Sequence, residues 1–155
     1  MWIAAVRAEA EGSVRRGVMG PVVHYQPTRV DLERLRAAFC ELARLHFEAG
    51  ARYVLPGIHG VPDRVDYDEL ERLERAPLEN RAYTWVLSHL FGGACAGADP
   101  LRSVVDEELC VRGVRGLHVA CASVLPTNLG VNPQLCIMAV ARLTAARLAN
   151  QSAAL

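Results

Sequence analysis

At 155 residues, of which 52% are hydrophobic and 22% charged, the chain is long enough for one globular core and too apolar to be a disordered tail. Seventeen basic and seventeen acidic side chains cancel, which removes the electrostatic footprint of a nucleic-acid or polyanion binder. The first residues, MWIAAVRAEAEGSVRR, carry charges within a short apolar run, so neither a secretory signal nor a membrane span is expected there, and a cytoplasmic location follows by default.

In chain order, GPVVHYQ from Gly20 to Gln26 reads as a strand with Val23 and Tyr25 on one face and Val22 and His24 on the other. Pro27-Thr28 ends it. Thr28 followed three residues later by Asp31 is a variant capping box, and Leu32, Leu35, Phe39, Leu42, Leu45 and His46 recur at helical spacing until Gly50. A helix over 29–49 is therefore predicted, with an apolar stripe that needs a sheet to cover it; Tyr53-Val54-Leu55 is a candidate strand near by. The Pro- and Gly-dense stretch 56–66 reads as a loop, and Tyr67 to Arg75 as a short acidic helix. An apolar run from Arg81 to His89 leads into Gly92-Gly93. Val104-Val105, Leu109-Cys110-Val111 and Leu117-His118-Val119-Ala120 are β-like runs separated by glycines. Asn132 is a preferred N-cap and Pro133 a preferred first helical residue. The helix they open, through Leu135, Ile137, Met138, Ala141 and Leu148, is apolar on most of its circumference and is expected to be largely buried.

Five cysteines, Cys40, Cys95, Cys110, Cys121 and Cys136, are odd in number and lack C-x-x-C spacing, so they read as reduced thiols packed as small hydrophobes. His118 and Cys121 stand three apart, which on a strand places them on opposite faces. His46 and His59 have no ligand-spaced partner, and no metal site is assigned.

The segment VVDEELCVRGVRGLHVACASVLPTNLGVNP carries Val105-Asp106, Leu109, Val111, Gly113, Gly116-Leu117, Val119, Ala122-Ser123, Pro126-Thr127 and Gly130-Val131-Asn132-Pro133. This order and spacing resembles the closing segment of the glucose-methanol-choline (GMC) family of FAD-dependent oxidoreductases. Upstream, SHLFGGACAG from Ser88 to Gly97 resembles the family's H-P-M-G-G-C-R-M-G. The resemblance covers most of the chain and is closest to the GVNP-bearing subgroup of long-chain alcohol and sterol oxidases. The family's opening G-x-G-x-x-G turn, which sets the FAD pyrophosphate on a helix N-terminus, does not occur here, so the chain is expected to be the C-terminal part of such an enzyme. A split subunit and a truncated remnant remain alternatives.

The resemblance implies an α+β fold: a partial substrate-binding domain over 1–97, antiparallel sheet with the 29–49 helix behind it, then the strand-loop-helix end of an FAD-binding domain over 98–155. It implies catalysis by His89 and Asn132, which in the family hydrogen-bond the substrate hydroxyl while hydride passes to flavin. An imidazole suits that role because its unperturbed pKa of about 6.5 lets it accept a proton near neutrality. Taken locally, Asn132 reads as a helix cap and His89 as a packed or solvated histidine, one of five; the GVNP and GG contexts are what single them out. The implied cofactor-contacting residues are Gly92, Gly93, Cys121, Ala122, Ser123, Asn132, Pro133 and Gln134. Cys121 stands where the family has an acid, Cys110 where it has Arg, Cys136 where it has Thr, and Ala94-Cys95-Ala96 where it has C-R-M. The expected partners are a small-molecule alcohol and a separate N-terminal FAD-binding chain or segment. The alternative is a non-catalytic remnant or interaction module that keeps the fold and binds no flavin; a thiol or metal hydrolase is a distant third.

Overall fold

The computed structural model describes residues 2–86 and 89–152. The chain forms two compact units, Met1–Val86 and Leu87–Leu155, and the architecture is α+β, with small antiparallel sheets and two long helices.

In the first unit the longest element is helix α1, Arg29–Glu48. It starts where the sequence says it should. The Thr28 hydroxyl accepts the Asp31 amide at 3.1 Å and the Asp31 carboxylate accepts the Thr28 amide at 2.9 Å, which satisfies two of the donors that a helix start leaves over. It ends in a Schellman turn: Gly50, at φ 91°, donates to the Phe47 carbonyl and Ala51 to that of His46. Only glycine adopts that backbone conformation without a steric cost. Leu32, Leu35, Cys40 and Ala43 line the buried face of α1.

Only part of what covers that face is the expected sheet: Val65 and the half-buried Val54, from a short strand pair, join the core around α1, while Ile58, Leu73, Ala76, Ala82 and Tyr83 come from loops, turns and a short helix. The Gly20-to-Gln26 run does form a strand, but a shorter one: β2, Gly20–His24, pairs antiparallel with β1, Ser13–Gly17. The partner strand was not foreseen, because SVRRG alternates too little to stand out. All five residues of β2 are exposed, so this hairpin covers nothing. Tyr53–Val54 (β3) pairs with Val65–Asp66 (β4); thus the loop expected over 56–66 closes in a strand at its end, and Leu55 lies outside β3. The short acidic helix resolves into a 3-10 turn, Tyr67–Glu69, and α2, Glu71–Glu74. Leu73 is 1% exposed beneath it.

In the second unit the three β-like runs do not become strands. They meet as single bridges: Val105 with Ala96 and Val111, and Cys110 with His118. Asp106 Oδ1 accepts the amides of Glu108 and Cys110, both at 2.9 Å, and folds the chain back through Leu109 at φ 62°, so the pairing stops at single bridges, as where Val111 donates to Leu117 O at 2.8 Å and Val119 to Leu109 O at 3.0 Å. Val105, Leu109 and Val124 form the small core here, with Ala96, Val111, Val119, Leu125 and Val140 against it. The closing helix α3 spans Gln134–Ser152. It is not largely buried: Thr144 is 5% exposed, but Leu135 is 81% and Met138 58% exposed. One side packs on its own unit and the opposite, equally apolar side faces solvent.

Candidate functional site

The GGACAG loop and the ACASVLP turn lie side by side within the second unit. Gly92 N donates to Leu125 O at 2.9 Å, Ala94 N to Ser123 O at 3.0 Å and Ala96 N to Val124 O at 2.9 Å. Gly92 holds φ 77°, a conformation suited to glycine. At Gly93 an added Cβ would meet Ser123 Cβ at 3.7 Å, an ordinary van der Waals contact, which shows how closely the loop lies beside the turn. Cys95 Sγ donates back to Gly92 O at 3.2 Å and closes the loop on itself. Two motifs some thirty residues apart in sequence thus become one surface.

The turn itself, Ala122–Val124, is a single 3-10 turn. Its internal bonds use the amides of Val124, to Cys121 O, and Leu125, to Ala122 O. As at any helix start, the first amides, here of Ala122 and Ser123, are outside that bonding. Cys121, where the resemblance leads one to expect a carboxylate, is exposed and shares a 2.9 Å contact between its Sγ and Ser123 Oγ. The thiol–hydroxyl pair is a weak substitute, since sulfur is a poor acceptor and carries no charge while protonated.

At the start of α3, Asn132 Oδ1 accepts the Gln134 amide at 3.2 Å, and the Pro133 carbonyl accepts that of Ile137 at 2.9 Å. The helix therefore opens at Gln134, one residue after the expected Pro133, a difference within the ordinary latitude of helix ends. Pro133 is fully buried and fixes this end. Because capping engages Oδ1, the free function of Asn132 is its Nδ2 amide, which can only donate.

His89 is exposed and makes no hydrogen bond among the described residues. Its neighbours Leu87 and Ser88, part of the apolar run and of the SHLFGGACAG stretch, lie outside the described residues. Gly92, Gly93, Cys121, Ala122 and Ser123 are thus brought together, Asn132, Pro133 and Gln134 form a second cluster at the helix start, and no bond joins His89 to either.

Two residues that shape this surface carried no clear signal in the sequence. Arg112 sends its guanidinium to Gly97 O at 2.6 Å, Ala98 O at 3.2 Å and Ser103 Oγ at 3.2 Å, tying down the segment after the GGACAG loop. Arg147, on α3, donates to Glu107 O at 2.9 Å and pairs with Glu108 at 3.0 Å. Among the described residues no cluster of His, Cys, Asp and Glu could hold a metal ion, and no helix is long and apolar enough to cross a membrane.

The GMC oxidoreductase family model matches residues 8–141. The chain is 36% identical over 150 residues to the GMC-type oxidoreductase y4nJ of Sinorhizobium fredii, covering 95% of this chain and 30% of that protein. It is 40% identical over 138 residues to the GMC-type oxidoreductase MT0511/MT0512 of Mycobacterium tuberculosis, covering 89% of this chain and 22% of the relative. With the long-chain-alcohol oxidase FAO1 of Arabidopsis thaliana it shares 30% identity over 158 residues, 94% of this chain and 20% of that one. The chain spans less than a third of the length of each of these proteins, and by a match that takes in both its units it belongs to the GMC oxidoreductase family.

Proposed function

We propose that this chain supplies the C-terminal part of an FAD-dependent oxidoreductase that acts on the CH–OH group of an alcohol. The observation that supports it most is the pairing of the Gly92-to-Ala96 loop with the Ser123-to-Leu125 segment, which assembles the two family motifs on one surface. The residues present suit a flavin dinucleotide: slim backbone at Gly92 and Gly93, amides at Ala122 and Ser123, and the α3 start at Asn132, Pro133 and Gln134, whose dipole favours negative charge. A flavin held by these residues would supply the acceptor for the hydride that leaves the alcohol carbon. His89 takes the hydroxyl proton, a task for which imidazole is matched near neutrality. Asn132, with Oδ1 engaged in its cap, directs Nδ2–H at the substrate oxygen and orients it without titrating. The FAD-binding turn absent from this chain comes from a separate N-terminal chain or segment, so the chain alone retains flavin weakly or not at all.

The test mixes or co-expresses the chain with an N-terminal FAD-binding half of a GMC relative and follows flavin absorbance after gel filtration together with alcohol oxidation. His89→Ala and Asn132→Ala should each lower turnover by about two to four powers of ten, the range for losing positioned proton transfer, with flavin retained. Cys121→Asp should strengthen flavin retention. If His89→Ala leaves turnover intact, the catalytic assignment fails; if the wild-type pair retains no flavin, the non-catalytic remnant is the better reading.

A further inference from the structure

Beyond Ala96 the chain bends through 97–103, and three successive carbonyls of this bend gather on one guanidinium–hydroxyl pair. Arg112 Nη2 donates to Gly97 O at 2.6 Å and to Ala98 O at 3.2 Å, and its Nε donates to Ser103 Oγ at 3.2 Å. Ser103 Oγ stands 2.6 Å from Asp99 O and 3.0 Å from Gly97 O, and its single proton serves one of them at a time. Carbonyl oxygens drawn together repel one another, so a bend of this shape holds only with donors between them, and a charged donor holds it best. The guanidinium suits that task, being planar, permanently charged and able to serve several acceptors at fixed angles. Its bonds go to neutral acceptors, so its positive charge faces the carbonyls undiminished by a carboxylate.

The bend is the end of the loop that carries the candidate site. Outward from the Ala122–Val124 turn, Ala96 donates to Val124 O at 2.9 Å, Val104 and Val105 donate to Cys95 O at 2.9 and 3.2 Å, Gly97 donates to Val105 O at 3.2 Å, and Arg112 N donates to Val104 O at 3.0 Å. The Arg112 side chain therefore reaches back from the outermost of these segments, across 104–105, to the segment that holds Gly92, Gly93 and Ala96. Val105, Leu109 and Val124 make the core of this unit without it, so losing the guanidinium removes the clamp and leaves the core in place. Arg112 stands between Val111 and Gly113, at a position the motif leaves open. On the flavin reading, on which this inference rests, a dinucleotide meets Gly92 and Gly93 together with Ala122 and Ser123 only while the loop stays against the turn. We propose that Arg112 is a positioning residue of the flavin site, acting through Gly97 and Ala98 to hold the 92–96 loop beside Ser123.

The test compares Arg112→Gln and Arg112→Lys with the parent, first as the full chain alone and then paired with an N-terminal FAD-binding half of a GMC relative. In the chain alone, amide hydrogen exchange followed by NMR should be about ten-fold faster at Ala94 and Ala96 in Arg112→Gln, while Ile137 at the start of α3 exchanges as in the parent. In the pair, Arg112→Gln should raise the dissociation constant for FAD about ten- to a hundred-fold, the scale of a small misplacement at a site. Saturating FAD should then restore kcat with KM for the alcohol unchanged, because His89 and Asn132 are untouched. Arg112→Lys keeps the charge and one reaching donor and should recover part of both losses. The clamp is overturned if exchange at Ala94 and Ala96 stays at the parent rate, if Ile137 speeds up by the same factor, if Arg112→Lys is no better than Arg112→Gln, or if a parent pair that retains flavin retains it equally with Arg112→Gln. A parent pair that retains no flavin sinks the flavin reading and this inference with it, and that failure is seen before any substitution is made.

Discussion

Asp31 is fully buried at the first turn of α1, and its carboxylate accepts the amides of Glu9 at 2.6 Å, Ala10 at 3.1 Å and Thr28 at 2.9 Å. Burial pushes its pKa up, but the bonds from Glu9, Thr28 and Ala10 together outweigh burial and hold the carboxyl below its ordinary value of 3.8. A lowered folded value means the ionised form is favoured by folding. The contribution is full above the ordinary value and lost as pH falls through the lowered one. Asp31→Ala is expected to cost the first unit about 2–3 kcal/mol, since buried amides lose their acceptor, and to flatten the acid limb of its stability in denaturant titrations across pH. A variant as acid-sensitive as the parent would show that another carboxylate governs. Thiols give a second residue-scale expectation. Burial, then Glu74, push the Cys40 thiol up, whereas Cys121 and Cys136 are exposed. Ellman's reagent on the native chain should therefore label those two quickly and Cys40 only on unfolding. The capping half of the Asp31 device was legible, because Thr28 and Asp31 stand three apart. The bonds to Glu9 and Ala10 span more than twenty residues and left no trace in local pattern.

Among the elements, α1 was readable nearly to the residue because its start, its stripe and its glycine stop are all local chemistry. The strand-like runs near Val105, Cys110 and His118 were misread for a definite reason. β-branched residues favour extended backbone only where a neighbour is there to pair, and Asp106 instead turns the chain through an Asx loop. Helix α3 shows the reverse: its position was legible and its environment was not. Being apolar all round it should be covered on both sides, yet Leu135, Met138 and Leu143 are exposed. Leu135→Lys with Met138→Lys should leave the helical circular dichroism unchanged and sharply lower fluorescence of an apolar-surface dye such as ANS. Unchanged dye binding would place the exposed surface elsewhere.

For the molecule as a whole, zero formal charge, a pI of about 7.0 and many exposed large apolar side chains act together. Net charge near zero removes the repulsion that keeps apolar surfaces apart. Light scattering should therefore show concentration-dependent association of the isolated chain, strongest near neutral pH and weaker two units to either side. A clean monomer at pH 7 would identify the two units as self-sufficient. The candidate site was legible at this scale through motif order; what no pattern could supply was how the two motifs meet. The second unit's small core also has an unusual member in Leu109, a leucine held at φ 62° with 7% exposure. Side-chain shape there is ranked by backbone tolerance and not by hydrophobicity. Branching at Cβ crowds a left-handed backbone, so isoleucine, the same size and at least as apolar, should be tolerated worse than methionine, and asparagine, poor in a core but at ease in that conformation, should rank above valine. A substitution scan of position 109 scored by soluble yield would then run against every scale of residue similarity built on polarity.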